Sequence, residues 1–315
     1  MIYTLTLNPA IDRELTVEEI EYDKVLTALE ARIDFGGKGF NVSRMLKALG
    51  TSSVAVGFVG GNTGKRLENG LHALGIDSDF VWVDIETRTN ISIVTQLHDH
   101  YIKVNEKGPQ VSEAKQAELL NKIDSIARAG DWWVLAGSLP PEVNDSFYAR
   151  IIKVLNDRGA IAILDTTGDA LRLGCLDRPF LIKPNAEETQ ALTGMPVDTP
   201  AQVALAANEL REMGVQNVVI SLGKEGALLQ TPESTWLAHA PVVKEKNPIG
   251  AGDSMVGGLV WALAQDIPLN EALSWGVASG AAAASLSGTD VGSLTLITEL
   301  RSQVRLEALE VPVKK

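Results

Sequence analysis

Short apolar runs alternate with longer amphipathic ones along almost the whole chain, and this rhythm limits the folds open to it. The runs at residues 2–7, 54–59, 132–136, 161–165, 180–183 and 218–222 are too short for helices and read as strands buried on both faces. The segments 41–49, 64–74, 112–127, 145–157, 200–213, 253–264 and 269–286 read as helices. Their alternation implies a mainly parallel sheet with helices on both sides. Residues 12–35 and 88–106 break the rhythm: they are polar, β-branched and without helical period. Asn90-Ile91-Ser92-Ile93-Val94-Thr95-Gln96 and Tyr101-Ile102-Lys103-Val104-Asn105 alternate, and are expected to form a small antiparallel sheet standing off the main body as a lid, a subunit contact or both. The sequence has no repeat, low-complexity segment or Pro-rich linker, so all 315 residues are expected in one α/β unit that carries the lid segments as insertions. Residues 309–315 are expected to fray.

The formal net charge of −12 argues against nucleic acid and anionic membranes as partners. It leaves room for a small phosphorylated ligand, because a few placed Lys and Arg residues dominate locally. No apolar run is long enough to span a bilayer, and the N-terminus lacks a basic region of the secretory kind. The single cysteine, Cys175, excludes an internal disulfide and is expected to be a core or near-surface thiol in a cytoplasmic protein. His72, His98, His100 and His239 lack metal-ligand spacing. Ser138 lacks the Gly-x-Ser-x-Gly elbow of a hydrolase. Trp132-Trp133 opens a buried strand and is expected in the core.

The chemistry concentrates in four segments. In Asn247-Pro248-Ile249-Gly250-Ala251-Gly252-Asp253-Ser254, two glycines flank an alanine at the start of a helix. Such a turn aims backbone N–H groups at an anion and sets the Asp253 carboxylate beside it as a base; a helix cap is the plainer reading of the same residues. Gly36-Gly37-Lys38-Gly39-Phe40-Asn41-Val42-Ser43 again places glycines before a helix. There Lys38 is placed to meet a phosphate and Asn41 a sugar hydroxyl. It is not a Walker A loop, and neither is Gly61-Asn62-Thr63-Gly64-Lys65-Arg66, which reads as a solvated turn. Asn185 and Glu188, three apart at a helix start, fit a hydrated Mg²⁺ and equally fit a capping box. Ser221-Leu222-Gly223-Lys224-Glu225-Gly226 closes a strand where ligands of parallel sheets sit, or is a bare turn.

Taken together these segments resemble the phosphofructokinase B (ribokinase-like) family of sugar kinases over nearly the whole chain. The stretch from Gly36 to Ser43 resembles the family's N-terminal signature, and Asn247 to Ser254 its C-terminal one. Thr6-Leu7-Asn8-Pro9-Ala10-Ile11-Asp12 and Ala136-Gly137-Ser138-Leu139-Pro140-Pro141 are similar to the phosphohexose kinases within it. Thr87-Arg88-Thr89-Asn90-Ile91 resembles 1-phosphofructokinases most closely, with tagatose-6-phosphate kinases next. The resemblance implies a three-layer α/β/α fold with a β-sheet lid, and ATP-dependent phosphorylation of fructose 1-phosphate. Tagatose 6-phosphate and fructose 6-phosphate are the alternative substrates, and a catalytically silent sugar-phosphate sensor is the alternative class. Asp253 would be the base, with the amides of Gly250, Ala251 and Gly252 holding the moving phosphoryl group. Asp12, Gly37, Lys38, Asn41, Arg88, Asn90, Lys103 and Ser138 would bind the sugar phosphate. Lys183, Asn185, Ser221, Gly223 and Gly226 would bind ATP, with Mg²⁺ near Asn185 and Glu188 through water. The family's habit implies a homodimer through the lid sheet.

Overall fold

The apolar runs become strands because both of their faces are covered. The computed structural model describes residues 1–96 and 100–310. The chain opens with β1 (Ile2–Thr6), β2 (Ala10–Val17), β3 (Glu30–Gly36), α1 (Lys38–Ala48), β4 (Val54–Gly60), α2 (Gly61–Ala73) and β5 (Asp77–Val83). It continues through β6 (Arg88–Thr95), β7 (Tyr101–Asn105), α3 (Glu113–Ile126), β8 (Trp132–Ala136), α4 (Phe147–Asp157), β9 (Ile161–Asp165), α5 (Gly168–Leu176) and β10 (Leu181–Ile182). It ends with α6 (Ala186–Thr193), α7 (Pro200–Glu212), β11 (Asn217–Ser221), β12 (Gly226–Gln230), β13 (Thr235–His239), α8 (Ala251–Leu263), α9 (Leu269–Ala284), α10 (Leu294–Arg301) and β14 (Arg305–Leu309).

The main sheet has the order β14-β13-β12-β11-β10-β9-β8-β1-β4-β5. Every pairing from β5 across to β11 is parallel, and the three pairings from β11 out to β14 are antiparallel. Successive residues of a strand enter opposite layers. Trp133 and Leu135 pack with α3, α4, α5 and α7, whereas Val134 and Ala136 pack with α1, α8, α9 and α10. Helix α2 lies beside α1, with Leu67 and Leu71 against Phe40, Ala55 and Val59. Trp133 is wholly buried and stacks on Tyr3, ring centroids 4.3 Å apart. Cys175 is a core thiol, its pKa pushed up to about 12 by burial.

The lid has the order β3-β2-β6-β7. The sequence points to an antiparallel sheet, and β2·β3 and β6·β7 are antiparallel, but β2 and β6 run parallel. Each of those two strands follows a parallel strand of the main sheet, β1 and β5, so both leave the body in the same direction. Ile11, Ile33 and Phe35 share one lid face and pack towards α2. Asp12, Asp34, Asn90 and Lys103 share the other face through the registers Asp12↔Asp34, Asp12↔Asn90 and Ser92↔Lys103.

Several boundaries differ from the sequence reading. Helix α1 begins at Lys38, not at residue 41, because Gly39 is taken into its first turn. The expected solvated turn at residues 61–66 is the first turn of α2, where the Glu86 carboxylate accepts the N–H groups of Asn62 and Thr63. Those bonds hold Glu86 below the usual carboxylate pKa. The run at 180–183 is strand only over Leu181–Ile182, and Leu309 closes β14. His98 and residues 311–315 lie outside the described residues.

Trp133→Ala is expected to lower the unfolding free energy by about 3–5 kcal/mol in chemical denaturation. A loss under about 1 kcal/mol would show that this face of β8 is not core.

Candidate active site

The site forms at the carboxyl edge of the parallel strands, where the chain switches from the β4–β5 side of β1 to the β8 side. Gly250 is the N-cap of α8 in the left-handed region, φ 81°, which a residue with a Cβ enters at a cost. No side chain caps the helix, so its first amides face outward with the positive end of the helix dipole. Ala251 departs from the expected set of three free amides, because its N–H turns back to the Pro248 carbonyl at 3.2 Å. A Cβ built on Gly252 would stand 3.4 Å from Lys183 Nζ, so an ammonium group lies against this turn.

Asp253, in the first turn of α8, is 7% exposed, and Asn41 Nδ2 donates to its Oδ2 at 2.8 Å. Asn41 therefore holds the carboxylate, a contact that spacing along the sequence does not reveal. Burial and the neighbouring Asp165 charge push the Asp253 pKa up to about 6, against Lys38, the Asn41 hydrogen bond and Lys183. Asp165 closes β9 and is 1% exposed. Lys183 Nζ lies 3.4 Å and Lys38 Nζ 3.5 Å from its Oδ1, and neither carboxylate oxygen has a close hydrogen bond. A buried carboxylate in that state is rare, and it marks a site built for something besides stability. Burial alone would lower the Lys38 pKa, but the fields of Asp165, Asp253 and Glu188 outweigh it and the pKa is raised. Sequence reasoning passes over Asp165. Its signal is an acid closing an apolar strand at the carboxyl end.

The residues expected to take the sugar phosphate gather around the lid root. Gly37 is the N-cap of α1, again without a side-chain cap, and Lys38 is that helix's first residue. Asp12 accepts a hydrogen bond from Asn90 Nδ2 at 2.8 Å and lies over Gly36, where a Cβ would fall 2.0 Å from its Oδ2. Arg88 donates to the carbonyls of Glu106 at 3.0 Å and Asn8 at 2.9 Å, tying the lid to the body. Burial lowers its pKa, with Asp12 and Glu106 opposing, and the guanidinium stays charged. Lys103 is exposed on β7, on the lid face of Asp12 and Asn90. Ser138 is exposed just after β8, next to Gly137, whose carbonyl is pinned by Tyr148 Oη at 2.9 Å and Thr166 Oγ1 at 2.8 Å.

On the other side of Asp165, Asn185 and Glu188 form a capping box. Asn185 Oδ1 accepts from Glu188 N–H at 2.7 Å, and Glu188 Oε2 accepts from Asn185 N–H at 2.9 Å. Among the described residues no group of three or more His, Cys, Asp or Glu side chains could cage a metal ion. A cation carried on nucleotide phosphates needs no such cage, and the unbonded oxygens of Asp165 suit its water shell. A cavity of about 670 Å³, ample for a small ligand, is walled by Asn185, Ser221, Gly223, Pro200 and Leu237 among others. Its walls do not include the turn at Gly250, so it flanks the nucleotide-side residues and not the reacting centre. Gly226 is explained by packing. It is buried at φ 112°, and a Cβ would fall 1.9 Å from the Ala238 carbonyl across the β12–β13 pair.

A buried carboxylate, two ammonium groups and an uncapped helix start, set at the edge of a ribokinase-like α/β sheet, define a phosphotransferase. The chain belongs to the pfkB family of carbohydrate kinases, which it matches over residues 4–296. It is 34% identical over 308 residues to a 1-phosphofructokinase of Borreliella burgdorferi, covering 98% of each chain. It is 31% identical over 267 residues to a tagatose-6-phosphate kinase of Staphylococcus epidermidis, covering 84% of this chain and 85% of that one. Among solved structures it resembles phosphofructokinase-2 from Escherichia coli in complex with substrates and products, with a TM-score of 0.88, 32% identity, and coverage of 96% of this chain and 98% of that one. The chain is an ATP-dependent sugar-phosphate kinase, of a kind that works with a divalent metal.

Asp165→Asn removes the like charge that raises the Asp253 pKa, so the acid limb of the pH–activity profile is expected to move to lower pH. An unmoved or higher limb would show that Asp165 does not act on Asp253.

Proposed function

We propose that this protein transfers the γ-phosphoryl group of ATP to the free terminal hydroxyl of D-fructose 1-phosphate, giving fructose 1,6-bisphosphate. The observation that carries the reading is Asp253, buried beside the uncapped start of α8 and between Lys38 and Lys183. Asp253 takes the hydroxyl proton as the oxygen bonds to phosphorus and the bond to ADP breaks. Its raised pKa strengthens it as a base while leaving it ionised near neutral pH, and Asn41 fixes its orientation. The amides of Gly250 and Gly252, joined by Ala251 when it releases the Pro248 carbonyl, hold the charge of the transferred group. Each such donor is typically worth ~3 kcal/mol. Lys183, against Gly252, meets the same group from the ATP side.

Lys38, the start of α1, Ser138, Arg88 and Lys103 hold the phosphate already on the sugar, and Asp12 and Asn90 its hydroxyls. Ser221 and Gly223 flank the nucleotide. Mg²⁺ bound with ATP would neutralise phosphate charge, and Asp165, Asn185 and Glu188 are the groups that would hold its water shell. Ile91, Ile102 and Val104 are 38%, 36% and 58% exposed on the lid face opposite Asp12, which supports a homodimer through that face; light scattering at the monomer mass would refute it. A single, buried and unreactive thiol fits a cytoplasmic setting. Tagatose 6-phosphate is the second reading, favoured by the Staphylococcus epidermidis relative.

With ATP and Mg²⁺, kcat/KM is expected to be highest for fructose 1-phosphate, ahead of tagatose 6-phosphate and fructose 6-phosphate by roughly tenfold or more, about the 1.4 kcal/mol that one well-made contact supplies. Turnover with none of the three would sink the substrate reading. Asp253→Asn is expected to lower kcat by about 10²–10⁴-fold, and retention of more than about a tenth of wild-type turnover would overturn the base. Because the base must be deprotonated, kcat/KM should rise with pH through about 6 and then level. A profile flat across that range would show that Asp253 does not carry the proton.

A further inference from the structure

Beyond the contacts used so far, the lid is tied to the turn that opens α8. Arg32 and Asp34 lie two residues apart on β3 and pair through Arg32 Nε and Asp34 Oδ2 at 3.1 Å. The Thr289 hydroxyl, on the loop after α9, donates to Asp34 Oδ1 at 2.8 Å and accepts from Arg32 Nη2 at 3.2 Å. Gly288 lies beneath the guanidinium, where a Cβ would fall 1.9 Å from Arg32 Nη1, so the lid rests on the loop backbone itself. The Gly288 carbonyl accepts from Asn247 Nδ2 at 2.8 Å, and Asn247 Oδ1 accepts from the Ile249 N–H at 3.0 Å. Ile249 is the residue before Gly250. Hydrogen bonds and one backbone contact thus run from a lid strand to Ile249, the residue that leads into the anion-binding turn.

The chemistry of the contact suits a reversible joint. Arg32 and Asp34 neutralise each other within β3, so lifting the lid would strand neither charge. Seating the lid adds the Thr289 hydroxyl to both partners, and both bonds are charge-assisted, one donated by a guanidinium and one accepted by a carboxylate. A partly exposed ion pair within one strand contributes little by itself. Its reach to Thr289, 255 residues further along the chain, exists only while the lid lies on the loop.

We propose that Arg32, Asp34 and Thr289 are positioning residues that latch the lid to the anion-binding turn, so that closing over the sugar phosphate and setting the amides for the moving phosphoryl group are one event. This rests on the kinase reading of the same site. Coupling of this kind is reciprocal: the sugar phosphate tightens nucleotide binding by the factor by which the nucleotide tightens sugar-phosphate binding.

The test is calorimetric binding of the non-hydrolysable analogue AMP-PNP with Mg²⁺, with and without saturating fructose 1-phosphate or tagatose 6-phosphate. In the wild type the sugar phosphate is expected to tighten AMP-PNP binding by about tenfold or more. In Thr289→Val, and separately in Asp34→Asn, the tightening should shrink to about twofold or less, roughly the effect of losing one charge-assisted hydrogen bond. AMP-PNP alone should bind all three proteins within about twofold, a result that general loss of structure would not produce. Full tightening in both variants, or none in the wild type although each ligand binds, overturns the latch and leaves the kinase reading standing. Failure of the wild type to bind either sugar phosphate overturns the substrate reading and the latch with it.

Discussion

Three buried charges, those of Asp165, Asp253 and Lys183, meet the partly exposed Lys38, and the site depends on how they came to be neighbours. Asp165 and Asp253 are buried, and Lys183 and Lys38 stand between them and the two ligand sides. Any one of the three buried charges left without a partner would be strongly disfavoured. Strand register brings the first pair together. Ile163 and Leu164 of β9 lie opposite Leu181 and Ile182 of β10, and the Lys183 N–H donates to the Leu164 carbonyl at 3.2 Å. The next position on each strand is then Asp165 beside Lys183. A slip of one residue would turn the lysine to the other face of the sheet, so the packing that sets register in the core also sets charge at the rim.

Helix starts divide the work around that cluster. Both α1 and α8 begin at a glycine with no side-chain cap, and both begin beside a lysine. Other starts vary, and α5, which follows Asp165, also has no side-chain cap. Glu86 caps α2, and the Asn185–Glu188 box caps α6. An uncapped start with a lysine beside it sets α1 and α8 apart as places suited to an anion.

Much of this was open to sequence reading, for identifiable reasons. The parallel strands are visible because burial on both faces leaves uninterrupted apolar runs. Strand β5 escapes because Asp77-Ser78-Asp79 opens it at the sheet edge, and the antiparallel β12, β13 and β14 escape because polar or glycine residues bound or interrupt their apolar runs. The turn at Gly250 and Asp253 is legible as a local motif. Asp165, the Asn41–Asp253 bond and the Arg32–Thr289 contact are not, since each joins segments far apart in the chain or hides an acid at the end of a strand. Conversely, Gly226 looks like a ligand-binding glycine but answers to the close approach of the Ala238 carbonyl.

The place of β1 in the sheet has a consequence for how the molecule is made. Strand β1 is flanked by β4 on one side and by β8 on the other, and β8 is completed only at Ala136. At ordinary translation speed that second neighbour arrives on the order of ten seconds later. Until then Ile2, Tyr3 and Leu5 belong to an open sheet edge. The strand order that creates the ligand crevice therefore also delays burial of the growing chain.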